Sequence, residues 1–311
     1  MAATVEPMTT TTSPARIRSH PADGPARSWP RPGHRLLGLA AIAGTVPYLV
    51  LKAIWLTGGS AGVHDPTLLH DASLTVLNVV TVALDACVVA LALALTTRRG
   101  LQAPAVALLL PTWVGTGFLV PMAVSILPAT LLSLGTPPEP GLLAPWVQPL
   151  VYGGFAWQGV FLVAALAGYA RQRWGAQLRH PVRRAAAVEP VLRVVAGGAA
   201  VTALVSAVLH VATGLVIGGG VTIMTESVNA LLAVAGAWGL VALVRRRGPR
   251  RLAVTAAWTG CAAMFSWGLW STVTTMGATA LATGGVPAAG LAAVTGLLAG
   301  LSGAIAALLA L

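Results

Sequence analysis

With 311 residues, 56% of them hydrophobic and only 9% charged, the chain is too poor in charge to cover a water-facing surface, since soluble domains run at about 25% charged. The formal net charge of +11 would suit nucleic acid, but the arginines stand in short clusters between apolar runs and form no basic domain with interleaved aromatics. Composition therefore excludes a nucleic-acid binder and points to an integral membrane protein whose main partner is the lipid bilayer.

Residues 1–33 are rich in Thr, Pro, Ala and Arg, with Thr9 to Thr12 and Pro21, Pro25, Pro30 and Pro32. They lack the apolar residues to build a core and read as a disordered cytoplasmic tail. The first apolar run, 36–57, is too long for a signal-peptide core and reads as an uncleaved span. Further spans are predicted at 72–95, 103–127, 146–170, 192–217, 222–243, 252–275 and 291–311, each close to the ~20 residues that cross a bilayer. Pro111 and Pro121 predict a kink in the third. Cys87 and Cys261 both fall inside apolar runs without a CxxC partner and read as small buried hydrophobes.

Charge sets the topology. Arg16, Arg18, Arg27, Arg31 and Arg35 precede the first span, and Arg98 and Arg99 separate the second from the third. Arg171, Arg173, Arg179, Arg183, Arg184 and Arg193 lie between the fourth and fifth, and Arg245, Arg246, Arg247, Arg250 and Arg251 between the sixth and seventh. With eight spans every arginine lies on one side, while the opposite loops carry Asp65, Asp71 and Glu139. The positive side is expected to be cytoplasmic, with both termini there and the protein in the plasma membrane. The fold class is thus all-α, a polytopic transmembrane bundle of about eight helices.

The chain divides into 34–175, a first four-helix unit, a basic cytoplasmic loop at 176–191, and 192–311, a second four-helix unit. Four helices followed by four return the chain to the same side, so a duplication would give parallel repeats. Counting from Arg35 and Arg193, Lys52 and His210 occupy matching positions. Aligning Arg98-Arg99-Gly100 with Arg246-Arg247-Gly248 sets Asn78 against Glu226, and Thr112-Trp113-Val114-Gly115 resembles Ala257-Trp258-Thr259-Gly260.

Ionisable groups inside a membrane are costly and mark sites of interest. The one lysine, Lys52, lies in the first span, Asp85 near the middle of the second, His210 in the fifth and Glu226 in the sixth. Thr45, Tyr48, Lys52 and Trp55 share one helical face, as do Asp71, Thr75, Asn78, Thr81 and Asp85, and again Thr222, Glu226 and Asn229. Polar stripes turn inward, so these three helices are expected to converge on one outward-facing polar region, which Gln158, Ser266 and Ser271 would join. Lys52, Asn78, Asp85, His210 and Glu226 are the candidate substrate- or ion-binding residues. The plainer alternative is an ion pair between Lys52 and Glu226, with the stripes acting as interhelical glue.

The first outer loop, His64-Asp65-Pro66-Thr67-Leu68-Leu69-His70-Asp71, has metal-ligand residue types. Asp65-Pro66 reads better as a helix start and Asp71 as a cap, so no metal is assigned. There is no Walker A sequence or HExxH, and no cofactor motif.

The stretch Pro47-Tyr48-Leu49-Val50-Leu51-Lys52-Ala53-Ile54-Trp55-Leu56-Thr57-Gly58-Gly59 resembles a segment of uncharacterised polytopic membrane proteins from actinobacteria. In that group Lys or His stands three residues before Trp and a Gly-Gly ends the helix. The resemblance implies a membrane location and carries no mechanism. Three functions are therefore weighed: a small-molecule or proton-coupled transporter, a structural or partner-binding membrane protein, and a membrane-embedded enzyme using Lys52, His210 and Asp85 as acid–base groups.

Overall fold

A computed structural model of the chain describes residues 32–66, 69, 72–132, 143–175, 186–276 and 286–310. The described residues form helices α1 (Pro32–Leu56), α2 (Ala72–Thr96), α3 (Arg98–Gln102), α4 (Ala105–Leu132), α5 (Val147–Trp174), α6 (Glu189–Ile217), α7 (Gly220–Arg245), α8 (Arg250–Met276) and α9 (Pro287–Ala310), with a 3-10 turn at Ala186–Val188. Eight of them are long and apolar enough to cross a membrane. At 1.5 Å per residue, a helix of ~24 residues exceeds the ~30 Å hydrocarbon thickness. The chain is an all-α polytopic bundle, as its hydropathy predicts.

The predicted spans hold within a few residues, with two differences. The short helix α3 was not expected, because five residues carrying two arginines have no apolar period to announce them. Helix α4 runs on past Leu127 to Leu132 and contains Pro111, Pro121 and Pro128. Its hydroxyls bond back one turn along the helix: Thr112 donates to Leu108 O, Thr116 to Thr112 O at 2.7 Å and Ser125 to Pro121 O at 2.7 Å.

Packing divides the eight long helices into two units. In the first, α1 lies against both α2 and α5, and α5 against α4; in the second, α6 lies against α7 and α9, and α8 completes the ring with both. Each unit has its own core. One gathers Ala41, Leu91, Ala92, Leu95, Leu119, Leu162, Ala165 and Tyr169. The other is dominated by alanine, including Ala199, Ala203, Ala233, Ala257, Ala299 and Ala306. Small residues suit a membrane interior, where close backbone approach and van der Waals contact drive helix association. Gly236 lies against Gly260, and Gly268 against Ala293 and Leu297, where a Cβ would have no room. Outward faces carry Val194, Leu204, Val208, Leu215, Val76 and Leu308, all well exposed. Such a surface is stable against lipid and not against water.

The units meet along α4, which packs on α8 and α7. Gly117 presses on the backbone of α8 at Ala262, and Ser266 donates to Val114 O at 3.0 Å. Trp113 stacks on Phe265 with centroids 5.0 Å apart, and Trp258 Nε1 donates to Thr116 Oγ1 at 3.4 Å. Because α4 turns this face to the second unit, its contact with α2 is slight, whereas α7 and α8 pack along much of their length.

With eight successive crossings, the start of α1, the ends of α2 and α5, the start of α6 and the α7–α8 turn all fall at one end. The described arginines lie at these places. Arg179, Arg183, Arg184, His70, Asp71 and Glu139 lie outside the described residues.

Candidate functional site: a buried polar column in the first unit

Lys52 points into the first unit and is only 6% exposed. Its Nζ donates to Asn78 Oδ1 of α2 at 2.5 Å and lies 4.7 Å from the Tyr48 ring centroid and 4.8 Å from that of Trp55. Helical spacing places both rings: Tyr48 and Trp55 stand one turn to either side of Lys52 on the same face. Trp55 Nε1 in turn donates to Ala61 O at 2.8 Å, fastening the loop that closes this end. The loop reverses at Gly58, whose φ of 90° favours glycine, and Gly59 N donates back to Ile54 O at 2.8 Å. The Lys-x-x-Trp and Gly-Gly elements of the first-span motif thus form one local structure: a cation between two rings, a tethered loop and a helix cap.

Below Lys52 the column continues. The Tyr48 hydroxyl meets Thr81, and the Tyr48 ring packs edge-on to Phe155 of α5 at 4.9 Å. Asp85 lies seven residues beyond Asn78, two turns or about 10 Å deeper on α2. It is 3% exposed and within Coulombic reach of Lys52. Gln158, fully buried, faces it from α5. Their approach depends on the α1–α5 crossing, where Gly44 lies against Gly154 and a Cβ on Gly44 would collide with Gln158 and Trp157. Trp157 Nε1 locks the crossing by donating to Ala40 O at 2.8 Å.

At the foot of the column the polar groups are not satisfied. Asp85 Oδ2 and both amide heteroatoms of Gln158 are buried without a hydrogen-bond partner of good geometry. Beneath them lies an apolar layer of Ala41, Val88, Leu91, Ala92, Leu162 and Ala165, each under 9% exposed. Near the arginine end His34 Nε2 is 3.1 Å from Leu95 O.

The second unit holds a separate pair. His210 Nδ1 of α6 lies 2.5 Å from Glu226 Oε2 of α7, both side chains partly exposed. The structure therefore corrects the expectation that the first, second and sixth spans converge on one region. Lys52 pairs with Asn78, and Glu226 with His210, in different units, because each four-helix unit closes on itself and α4 stands between them. The Lys52–Glu226 ion pair is not made. Ser266 lies in the seam between the units and outside the column, whereas Gln158 joins it as expected. Lys52, His210 and Asp85 likewise do not form one acid–base cluster.

The two pairs occupy the positions that the sequence register matches, Lys52 with His210 and Asn78 with Glu226, and each joins the first and second helices of its unit. The same register sets Ala233, fully buried, opposite Asp85, so the mid-depth carboxylate belongs to the first unit alone.

No protein-family model, curated protein or solved structure matches the chain.

Roles for these residues accordingly rest on the geometry. One cluster had no advance reading in the sequence. Tyr169 Oη donates to Gly100 O at 2.9 Å, and Arg173 donates to Gly100 O at 3.2 Å and to Ala103 O at 2.8 Å. It ties α5 to α3. An aromatic and an arginine four residues apart at a helix end are its only signal in the sequence. Among the described residues no group of three or more His, Cys, Asp or Glu gathers in a metal-binding arrangement; both cysteines are free thiols, Cys261 buried as expected and Cys87 exposed on the outer face of α2, contrary to the buried reading.

Proposed function

We propose that the protein is a proton-coupled transporter of the plasma membrane, with its arginine end cytoplasmic and Asp85 as the group that takes up and releases the proton. The observation that carries this reading is the facing pair Asp85 and Gln158 at mid-depth, where Asp85 Oδ2 and the two amide heteroatoms of Gln158 are buried without a hydrogen-bond partner of good geometry. Side chains serving only as interhelical glue would be expected to satisfy one another. Leaving a buried polar atom unpartnered costs about 1–3 kcal/mol. Retaining three together supports an occupant that comes and goes, a proton with the water that carries it. Tyr48, Thr81, Asn78 and Lys52 give such a proton a polar route toward the arginine-poor end, and the apolar layer below Asp85 holds the other direction shut.

The test uses the purified full chain in liposomes with a pH-reporting dye inside and an imposed pH gradient. The wild type should take up protons. Asp85→Asn, which keeps the shape of the side chain, should remain folded by thermal unfolding and lose uptake. Uptake by the Asn variant equal to wild type would remove Asp85 from the mechanism.

A second reading, a structural or partner-binding membrane protein, has its own support: Lys52 with Asn78, and His210 with Glu226, are mutually satisfied pairs within closed units. That reading expects Asp85→Asn to leave every transport measurement unchanged.

A further inference from the structure

At the arginine end, α7 stops in an uncommon way. Arg246 adopts the left-handed conformation with φ 52°, Arg247 N donates to Ala242 O at 3.0 Å, and Gly248 follows with φ 77°. A non-glycine residue in this region carries a conformational cost and usually serves a purpose. Here it folds the chain back so that Arg247 and Gly248 border a groove whose other walls are Trp238, Val241, Ala242 and Arg245 of α7. Trp238, Val241 or Ala242, and Arg245 are one turn apart along one helix face. The groove therefore has an apolar floor leading toward the membrane interior and two guanidinium groups at its mouth. Trp238 is 45% exposed.

Among the described residues no ion pair to an acidic side chain is made by Arg245, Arg246 or Arg247, whereas Arg193 pairs with Glu189 and His210 with Glu226 elsewhere. Arg250, which opens α8 just beyond it, has a buried Nε without a hydrogen-bond partner. Cations gathered over an apolar groove, at a helix end facing the bilayer surface, call for an amphipathic anion from outside the chain.

We propose that this groove binds an anionic phospholipid, with the phosphate between Arg245 and Arg247 and one acyl chain along Trp238 and Val241. Guanidinium groups recognise phosphate oxygens in a fork geometry, and juxtamembrane basic clusters attract anionic lipids. The groove lies in the second unit, away from the polar column, so the inference stands apart from the transport reading.

The experiment is thermal unfolding of the full chain in detergent micelles supplemented with phosphatidylglycerol, phosphatidylcholine or inorganic phosphate. A ligand that binds the folded state raises the melting temperature in proportion to its saturation. Phosphatidylglycerol should raise it, phosphatidylcholine and inorganic phosphate should not, and Arg245→Gln/Arg247→Gln should lose most of the shift while melting near the wild type in plain detergent. Arg193→Gln, a control at the same end, should keep the full shift. Native mass spectrometry of the same samples should show one phosphatidylglycerol retained on the wild type and lost from the double variant. The proposal is overturned by an equal shift in the double variant, by an equal shift with phosphatidylcholine, or by a shift with inorganic phosphate as large as with the lipid. If the double variant is too unstable to melt, Trp238→Ala replaces it, and undiminished lipid retention there is likewise a refutation.

Discussion

Asp85 and Gln158 invert the usual expectation for buried polar residues. Removing a satisfied membrane hydrogen bond costs about 0.6 kcal/mol on average, but three buried atoms of these two side chains lack a hydrogen-bond partner of good geometry. Replacing both with apolar groups of similar volume should therefore be neutral or stabilising. Asp85→Leu/Gln158→Leu is predicted to melt at or above the wild-type temperature while transporting nothing, measured by unfolding in micelles alongside proton uptake. A clear loss of stability would mean that the pair holds the helices together. The sequence had singled out Lys52, Asn78, Asp85, His210 and Glu226 by type and depth; Lys52 and Asp85 are buried, while His210 and Glu226 stay partly exposed. What it could not show was who meets whom. A stripe defines the face of a helix, but the partner depends on how each helix is rotated and which neighbours surround it, and those are set by packing across the whole unit. Lys52 facing Asn78 instead of Glu226 is the outcome of that packing.

Among elements, α4 carries Pro111 and Pro121, which predict a kink, and a third proline, Pro128, and it runs as one helix to Leu132. Its two nearby glycines have opposite duties. A Cβ at Gly117 would enter the space of the Ala262 carbonyl and Ser266 on α8, whereas one at Gly115 would find its nearest neighbour, Leu162 Cδ2, at 4.0 Å. Gly117→Val is predicted to destabilise the protein by about 1–3 kcal/mol, the usual cost of overpacking. Gly115→Ala should be neutral or stabilising by up to about 1 kcal/mol, since alanine is the better helix former. Chemical denaturation of the two variants under one set of conditions checks both, and equal effects would contradict the seam described here. Short helix α3 was illegible for a different reason: what holds it in place is the reach of Tyr169 and Arg173 from α5, about seventy residues away in the chain.

For the molecule as a whole, hydropathy and arginine placement were enough to count the spans, because those properties answer to the bilayer and not to any particular partner helix. The orientation they imply is testable with single cysteines on a background where Cys87 and Cys261 are replaced by alanine. Ser60→Cys, in the exposed loop after α1, should react with an impermeant thiol reagent added outside intact cells, and Pro249→Cys, in the exposed α7–α8 turn, should react only after the cells are opened. Labelling of both from outside would break the eight-span topology. The arrangement of the two units was not legible, since nothing in a helical stripe says that α4 alone would supply most of the first unit's contact with the second. That single line of contact has a mechanical consequence. Two bodies joined along a line resist sliding much more than they resist turning about it. Within the first unit α5 packs on α4 and α2 touches it slightly, while α1 lies across from it against α2 and α5, so α1 sits at the far end of the lever arm. A small rotation about the α4 axis moves the seam hardly at all and displaces α1 the most, and α1 is the helix that carries Lys52.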